Sequence, residues 1–296
     1  MKIFINQDEI EFTLEKENIL GEVYDSIEKW LLDQSFSVTE LFLDDKELFL
    51  TEREKWGNIP FQDKESFRFV ALTLKELKGQ NLSTLLNYCR MLQVSLKEGN
   101  LELLNELLGE YSYIEDSYSV LLEDFSNSIK DHMAQLLKNN GFIPDGERSE
   151  ENVKTILEAF MMLEVVIQGR LDEIRQPQRS GTECFEAIVA LMPQMENVSL
   201  MLQTGKDKDA MDVIIRFTEL FQKLLRIFTY LPAETQENHH QDLKEYIKDM
   251  SGILKELTEA FTSKDSVLMG DLMEYEILPR MKTFPRYFES ISGHGD

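Results

Sequence analysis

The sequence has few cysteines, glycines and prolines and contains no long apolar run. Among 296 residues there are 2 cysteines, 14 glycines and 7 prolines. So few helix breakers indicate long helices. Cys89 and Cys184 lie singly in apolar helical patterns, which favours reduced thiols in a core. No apolar stretch approaches the roughly 20 residues that cross a bilayer, and residues 1–6 do not open a signal peptide. We therefore expect a cytoplasmic protein.

The sequence also lacks the motifs of common catalytic sites. It has no Gly-x-Ser-x-Gly, no P-loop, no Gly-x-Gly-x-x-Gly and no cysteine with an evident histidine partner. We therefore predict that the protein is not an enzyme and has no catalytic residue, cofactor or metal. One Glu-x-x-His motif runs from Glu237 to His240, but a di-iron bundle needs two such motifs and two further glutamates. A metal-binding helical enzyme is thus the least favoured alternative.

Basic residues are scarce relative to acidic ones. The chain has 31 Lys and Arg against 55 Asp and Glu, which gives a formal net charge of −24 and a pI near 4.6. Phosphate backbones and anionic membranes bind clustered Lys and Arg, so we expect neither nucleic acid nor a membrane as a partner. A basic protein partner fits this charge, and so does an acidic surface that serves solubility alone.

The first quarter of the chain has the pattern of a small mixed domain. Alternating runs predict a hairpin of strands at 2–6 and 10–14, joined by a polar turn at 7–9. Apolar residues three or four apart predict a helix over 18–32, with Asn18 as its N-cap. Further strands are predicted at 41–43, 47–49 and 66–72.

Three stretches of this region carry a resemblance to a known fold. They are the opening at 1–5, the hairpin at 41–48 and the ending at 62–72. Together with the order of elements, they resemble the ubiquitin-like β-grasp fold, which implies a compact sheet domain over 1–74. A conjugated modifier ends in Gly-Gly, whereas this chain continues from Leu74 into a helical pattern. The resemblance therefore implies a docking or folding module of the bacterial type rather than a modifier.

The remainder of the chain is predicted to be helical. Residues 75–81 form a predicted linker with Gly79 as its hinge, 82–290 a helical region and 291–296 a flexible tail. The fold class is thus α+β, with a β-grasp domain before antiparallel helical hairpins. The predicted helices cover 82–98, 101–138 with a break near 112–117, 150–175, 182–204, 207–230, 236–262 and 265–281.

Three turns in the helical region look alike. Each has an apolar helix end, a short polar turn and an acid ahead of a new apolar stripe, and they lie at Gly99, Gly205 and Lys264. They predict three helical hairpins of one kind. Their unequal spacing argues against a solenoid and leaves a diverged internal duplication open.

An acidic stripe is the main candidate for a binding surface. Glu98, Glu102, Glu106 and Glu110 follow one another at four-residue steps, and residues 101–129 contain no Lys or Arg. Like charges at this spacing destabilise a helix by a few tenths of a kcal/mol. The stripe either offers its charge to a basic partner or is a solvated face whose repulsion a neighbouring helix relieves.

Tyrosines interleave with this stripe. Tyr111 and Tyr113 are either interface hot spots or half-buried packing residues whose hydroxyls reach water. The residues predicted to bind a partner are Glu98, Glu102, Glu106, Glu110, Tyr111 and Tyr113.

The middle helices are rich in methionine and apolar residues. Methionines such as Met161 and Met162 are usually core residues at helical spacing, but methionine-rich surfaces also adapt to varied apolar helices. The stretch 214–228 is apolar around much of its circumference, so it is either central in a bundle or part of a dimer interface.

The favoured function is a non-enzymatic protein-interaction module, a scaffold, adaptor or regulatory subunit that acts through an acidic helical surface. Its expected partner is a protein with a basic or apolar helical surface, and a homo-oligomer is an open alternative. The second hypothesis is an acidic chaperone for a helical client in secretion or flagellar assembly.

Overall fold

The computed structural model describes residues 1–12, 17–62, 64–122, 128–144, 146–231 and 240–284. The fold is α+β, with a five-stranded mixed sheet followed by helices. The chain divides into two compact units, Met1–Gln168 and Gly169–Asp296. Within the described ranges, no helix is long and apolar enough to cross a membrane.

The elements are β1 (Lys2–Ile5), β2 (Asp8–Ile10), α1 (Leu20–Asp33), β3 (Phe36–Leu43), β4 (Lys46–Leu48), a 3-10 turn (Leu50–Glu52), α2 (Arg53–Trp56), β5 (Ser66–Thr73), α3 (Leu74–Glu98), α4 (Leu101–Gly109), α5 (Tyr111–Leu122), α6 (Ser128–Asn139), α7 (Glu150–Arg175), α8 (Pro177–Met195), α9 (Val198–Gln203), α10 (Asp207–Phe228), α11 (His240–Ser263), α12 (Ser266–Asp271), a π-helical segment (Leu272–Ile277) and α13 (Leu278–Thr283).

The sheet has the strand order β2-β1-β5-β3-β4, with β1 parallel to β5 and the other pairs antiparallel. Side chains alternate along β5, so that Phe67, Phe69 and Ala71 are buried and their neighbours only half-buried. Val23 and Ile27 of α1 belong to the same core. The observed order of strands and helix confirms the prediction of a small sheet domain at the N-terminus.

The β1–β2 turn is tighter than predicted. Asn6 takes a positive φ of 57°, and β2 already begins at Asp8, inside the predicted turn. The Asn6 side chain donates to the Ala71 carbonyl at 3.1 Å and accepts from the Ala71 N–H at 2.9 Å. Asparagine tolerates this conformation, and its amide extends the pairing of β1 with β5 by one residue.

Helix α1 starts without the predicted Asn18 cap. Its N-cap residue is Ile19, which gives no side-chain hydrogen bond. The Gly21 N–H instead donates to the Gly57 carbonyl at 2.8 Å. A Cβ at Gly21 would lie 3.0 Å from that oxygen, so glycine is what allows the close approach.

The predicted linker at 75–81 is helical. Helix α3 follows β5 directly because Thr73 and Glu76 form a capping box. The Glu76 N–H donates to Thr73 Oγ1 at 3.1 Å, and the Thr73 N–H donates to the Glu76 carboxylate at 2.9 Å. Helix α3 therefore has no break at Gly79. The first compact unit joins the sheet to α3 and the helices after it, and the domain limits inferred from the sequence remain a prediction.

Helix boundaries differ from the prediction elsewhere too. The predicted helix 101–138 contains α4, α5 and α6, with a break after Gly109 rather than near 112–117. Helix α8 starts at Pro177, inside a predicted loop, because proline suits the first turn of a helix. The predicted helix 265–281 corresponds to α12, the π-helical segment and α13, which together end at Thr283, and Pro279 lies in the first turn of α13. Residues 285–296, which include the predicted tail, lie outside the described part of the chain.

The three hairpin turns share one backbone geometry. Gly99, Gly205 and Lys264 follow helix ends with φ of 66°, 74° and 57°. In each turn the next residue donates its N–H back to the carbonyl five residues earlier, at 2.9 Å. The pairs are Asn100 with Ser95, Lys206 with Met201 and Asp265 with Ala260. This bond belongs to the Schellman motif, so the prediction of three turns of one kind is confirmed.

Helix α10 is central in the second unit. Phe217, Phe221 and Leu224 are fully buried, which places this apolar helix in a core rather than at a free surface. Arg226 donates through Nε and Nη2 to the Glu173 carboxylate, both at 3.3 Å. Glu173 is 3% exposed, and a carboxylate so deeply buried needs charged donors. Arg226 of α10 therefore forms an ion pair with a buried carboxylate.

Candidate interaction surface

Helix α4 carries the centre of the acidic stripe. Asn100 caps its first turn through its side chain. The buried side of the helix is formed by Leu104, Leu107 and Leu108. Packing of these leucines turns Glu102 and Glu106 outward, one helical turn apart, and both are exposed.

The structure separates Glu98 from this line of glutamates. Glu98 is the last residue of α3, and the left-handed Gly99 follows it. The step from Glu98 to Glu102 therefore crosses a turn, in line with the separate predicted helices 82–98 and 101–138, and the place of Glu98 in a binding surface stays a prediction. Glu110 is exposed at the end of α4 and continues the line from Glu106 towards α5.

Tyr111 and Tyr113 have opposite environments. Tyr111 is 3% exposed, and its ring lies 6.2 Å from the ring of the buried Tyr118. Tyr113 is 85% exposed, and its N–H donates to the Glu110 carbonyl at 3.0 Å. Tyr111 is thus a packing residue and cannot contact a partner at the surface. We define the acidic surface as Glu102, Glu106, Glu110 and Tyr113.

Buried tyrosines support the acidic surface from the core. The Tyr88 hydroxyl of α3 donates to the Leu107 carbonyl of α4 at 2.8 Å. Burial raises the pKa of Tyr88, Tyr111 and Tyr118 above the usual value of a phenol. Within the described chain, the hydroxyls of Tyr111 and Tyr118 have no hydrogen-bond partner. These rings stay neutral at physiological pH and hold α4 and α5 chiefly by apolar packing.

No basic side chain of the described residues forms an ion pair with Glu102, Glu106 or Glu110. The acids further along α5 differ, because Lys130 of α6 pairs with both Glu115 and Asp116. Its hydrogen bond to Asp116 raises the pKa of Lys130. Among the described residues, relief of repulsion by a neighbouring helix is therefore seen for the acids of α5.

The cysteines and the described acids form no second chemical site. Cys89 and Cys184 are free and buried, as predicted. Burial raises the pKa of Cys89 to about 12 and that of Cys184 to about 11, so both are thiols at neutral pH. In the part of the chain that the structure describes, no three His, Cys, Asp or Glu residues are grouped to hold a metal ion. The Glu-x-x-His motif lies mostly outside it, at 237–239.

A second exposed surface lies on α7, where the sequence left a core and an adaptable methionine-rich surface as alternatives. The exposed residues of α7 between positions 159 and 171 are Met161, Met162, Val165 and Val166. Met162 is 74% exposed and Val165 is 72% exposed. Met161 and Met162 are therefore not core residues, which corrects the prediction. Met161, Met162, Val165 and Val166 lie on the side of α7 opposite the buried Phe160, Leu163 and Ile167. We call these four residues the α7 apolar face.

A groove of about 530 Å³ lies in the second unit, beside α9 and the π-helical segment. Glu196 and Lys282 both line it and form an ion pair at 2.8 Å. The remaining lining mixes amide, hydroxyl and apolar side chains with one further carboxylate, Glu274, and it does not include any residue predicted to bind a partner.

Comparisons with known proteins cover separate parts of the chain. Residues 1–73 match a family described as the TP0873 N-terminal domain. Residues 182–286 match a family described as a domain of unknown function, DUF8042. An uncharacterized protein of Treponema pallidum (strain Nichols) is 25% identical over 103 residues, which cover 33% of this chain and 50% of that protein. The chain thus spans about half the length of the curated relative that it matches. No solved structure matches it.

Proposed function

We propose that this protein is a non-enzymatic interaction module that binds a protein partner with a basic helical surface through the acidic surface. It would serve as a scaffold, an adaptor or a regulatory subunit. The observation that carries the proposal is that Glu102, Glu106 and Glu110 are exposed and lack a basic partner among the described residues. Repulsion between them costs a few tenths of a kcal/mol for each pair, and a basic partner would offset it.

The arrangement suits a basic amphipathic helix. Two glutamates one turn apart match Lys or Arg residues at the same spacing on a partner helix. Tyr113, which follows them, adds an exposed aromatic ring, the kind of side chain that dominates interface energies. The glutamates are solvated, so their main contribution is to speed and steer association, and that contribution falls as salt rises.

We also propose that the sheet domain is a ubiquitin-like β-grasp module that helps to position the helices. The order of its elements and the parallel β1–β5 pair support this. Its continuation into α3 through the capping box supports a role as a fixed head rather than a detachable modifier. A cytoplasmic location, without nucleic-acid or membrane partners, is part of the same proposal, and the net charge of −24 supports it.

The test is affinity purification from the native host at physiological salt, followed by quantitative mass spectrometry. Three baits are compared: the native chain, the variant Glu102→Lys/Glu106→Lys, and the control Glu256→Lys/Glu259→Lys. The control changes the net charge equally at exposed positions of α11. We expect one partner to be held by the native chain and the control and to fall at least about 10-fold with the first variant.

Two outcomes would overturn this proposal. Recovery of no partner at physiological salt removes its basis. Equal loss with both double variants would mean that only the total charge matters and that the acidic surface is not a specific site. Circular dichroism of the three chains establishes that each is folded.

A second function has support from a different surface. The α7 apolar face contains two exposed methionines, and flexible thioether side chains adapt to varied apolar helices. This favours an acidic chaperone that shields a helical client, for instance one destined for secretion or flagellar assembly. Under this alternative, substitution of Met162 should reduce the amount of captured client, whereas substitution of Glu102 and Glu106 should leave it unchanged.

A further inference from the structure

We propose that the α7 apolar face binds a second copy of this chain, with the two α7 helices antiparallel. The proposal goes beyond the interaction module described above, because it uses none of the residues of the acidic surface.

The first argument is that α7 is apolar on two sides. Phe160, Leu163 and Ile167 are buried in the fold, while every exposed side chain between Glu158 and Asp172 is Met or Val. A helix that is apolar on opposite sides is normally covered on both. Contiguous exposed apolar residues on a protein with 29% charged residues mark an interaction surface.

The second argument is charge. Two copies that each carry −24 repel one another wherever their acidic surfaces meet. The four residues of the α7 apolar face include no acid, and the exposed Glu158, one turn before Met162, has Lys154 at 3.9 Å. Glu164, which is next to Val165 in the helix, is held by Arg90 at 2.7 Å and by Gln93 at 2.7 Å. Its charge is therefore offset within the same molecule.

The third argument is that the face matches itself. An antiparallel two-fold axis between positions 163 and 164 pairs Met161 with Val166 of the second copy and Met162 with Val165. Each flexible Met side chain then packs against a rigid β-branched one. The same set of four residues serves both copies, as an isologous interface requires.

The area sets the expected strength. At the observed exposures, the four side chains offer about 400 Å² per copy, roughly half of what each partner contributes to a standard interface. This predicts a weak, reversible dimer with a dissociation constant on the order of 10 μM or more. Helix α3, which contacts α7 through Arg90 and Gln93, also exposes Met91 and Val94.

Sedimentation equilibrium of the full chain, from about 1 to 500 μM, tests the proposal. We expect a monomer–dimer equilibrium, and the variant Met162→Glu should weaken it at least about 30-fold, since the change enters both sides of the interface. The matched control Val120→Glu alters a residue of α5 that is 65% exposed and should leave the dimer intact. Circular dichroism verifies folding, and Val165→Lys provides a second disruptive variant.

Cross-linking tests the antiparallel arrangement. Met162→Cys and Val165→Cys variants are mixed and treated with a bismaleimide about 10 Å long, close to the distance between packed helices. Antiparallel helices predict a link between the two different variants, whereas parallel helices would link Met162→Cys to itself. Cys89 and Cys184 are buried and should not react.

Several outcomes overturn this proposal: a monomer at every concentration, a dimer that Met162→Glu leaves unchanged, or preferential parallel links. A monomer that binds an apolar helical peptide, and loses it with Met162→Glu, would assign the face to a client instead. Each of these results leaves the test of the acidic surface unaffected, so the two proposals fail separately.

Discussion

At the scale of single residues, the three hairpin turns differ in one position. Gly99 and Gly205, which have no Cβ, adopt a left-handed conformation, whereas Lys264 adopts the same conformation with a Cβ and a φ of 57°. A Cβ is disfavoured there by roughly 1–2 kcal/mol. We expect Lys264→Gly to raise the free energy of unfolding by about 0.5–1 kcal/mol in urea titrations, after allowance for the entropy of glycine in the unfolded chain.

The control is the same substitution where the backbone is helical. Lys255 lies within α11 and its side chain is 80% exposed, so Lys255→Gly should lower stability by about 1 kcal/mol. A decrease in stability with Lys264→Gly would show that the side chain, rather than the backbone conformation, decides this turn.

The environments of some single residues could not be inferred from the sequence. The three turns could be recognised from the sequence because a glycine or polar residue directly after an apolar helix end is a local signal that the helix stops. The difference between Tyr111 and Tyr113 has no such cause, since both are phenols two positions apart. It depends on the break after Gly109 and on packing against Tyr118, which are tertiary facts. Glu98 was placed on the stripe by spacing alone, and the spacing carried across Gly99 without remaining helical.

At the scale of elements, the contact of α3 with α7 depends on Glu164. Hydrogen bonds from Arg90 and Gln93 lower its pKa from 4.5. A carboxyl group with a depressed pKa in the folded state stabilises the fold above its unfolded pKa, and this contribution is lost as pH falls through the folded value. Its side chain is 27% exposed, so we expect these hydrogen bonds to contribute about 0.5–1 kcal/mol to the free energy of unfolding at pH 7.

We therefore expect Glu164→Gln to lower stability at pH 7 and to differ less from the native chain as pH falls below about 4.5. Urea titrations from pH 7 to pH 3 in dilute solution measure this. Glu158→Gln is the control, because the Lys154–Glu158 contact is 3.9 Å long and well exposed, and it should have little effect at any pH. A gap between Glu164→Gln and the native chain that stays constant with pH would contradict the prediction.

Elements were predicted well where the local signal was strong. Helix α7 has the predicted bounds, and the order of strands and helix in the sheet domain followed from alternation and turns. The helical conformation of residues 75–81 was not predicted, because Gly79 was given more weight than Thr73-x-x-Glu76, although that spacing is a helix-start signature. The apolar character of α10 followed from its sequence, but its position in a core did not, because helices in a core and helices at an interface have the same apolar pattern.

At the scale of the whole molecule, the excess of acidic residues destabilises the compact folded state through charge repulsion. With a net charge of −24, like-charge repulsion is strong at low salt, where the screening length is about 30 Å at 10 mM. We expect the thermal midpoint to rise as NaCl increases from 10 to 500 mM, as followed by circular dichroism. Each Glu→Lys reversal removes one negative and adds one positive charge, so the double variant Glu102→Lys/Glu106→Lys has a net charge of −20 and its thermal midpoint should respond less to salt. A midpoint that falls with salt would mean that favourable ion pairs outweigh the repulsion.

The π-helical segment of the second unit has a consequence for its sequence history. Such a segment fits one more residue into a helix than regular winding does, so it behaves as an insertion that was kept. Removing one residue from Leu272–Ile277 should therefore restore regular α-helical winding and leave the residues on either side in place. Phe284 would stay beside the rings of Phe221, Phe228 and Tyr246, from which it lies 5.3–6.4 Å. The same deletion from a regular α-helical turn would rotate everything after it by roughly 100°, so we expect a deletion to be tolerated better in this segment than in the helices around it.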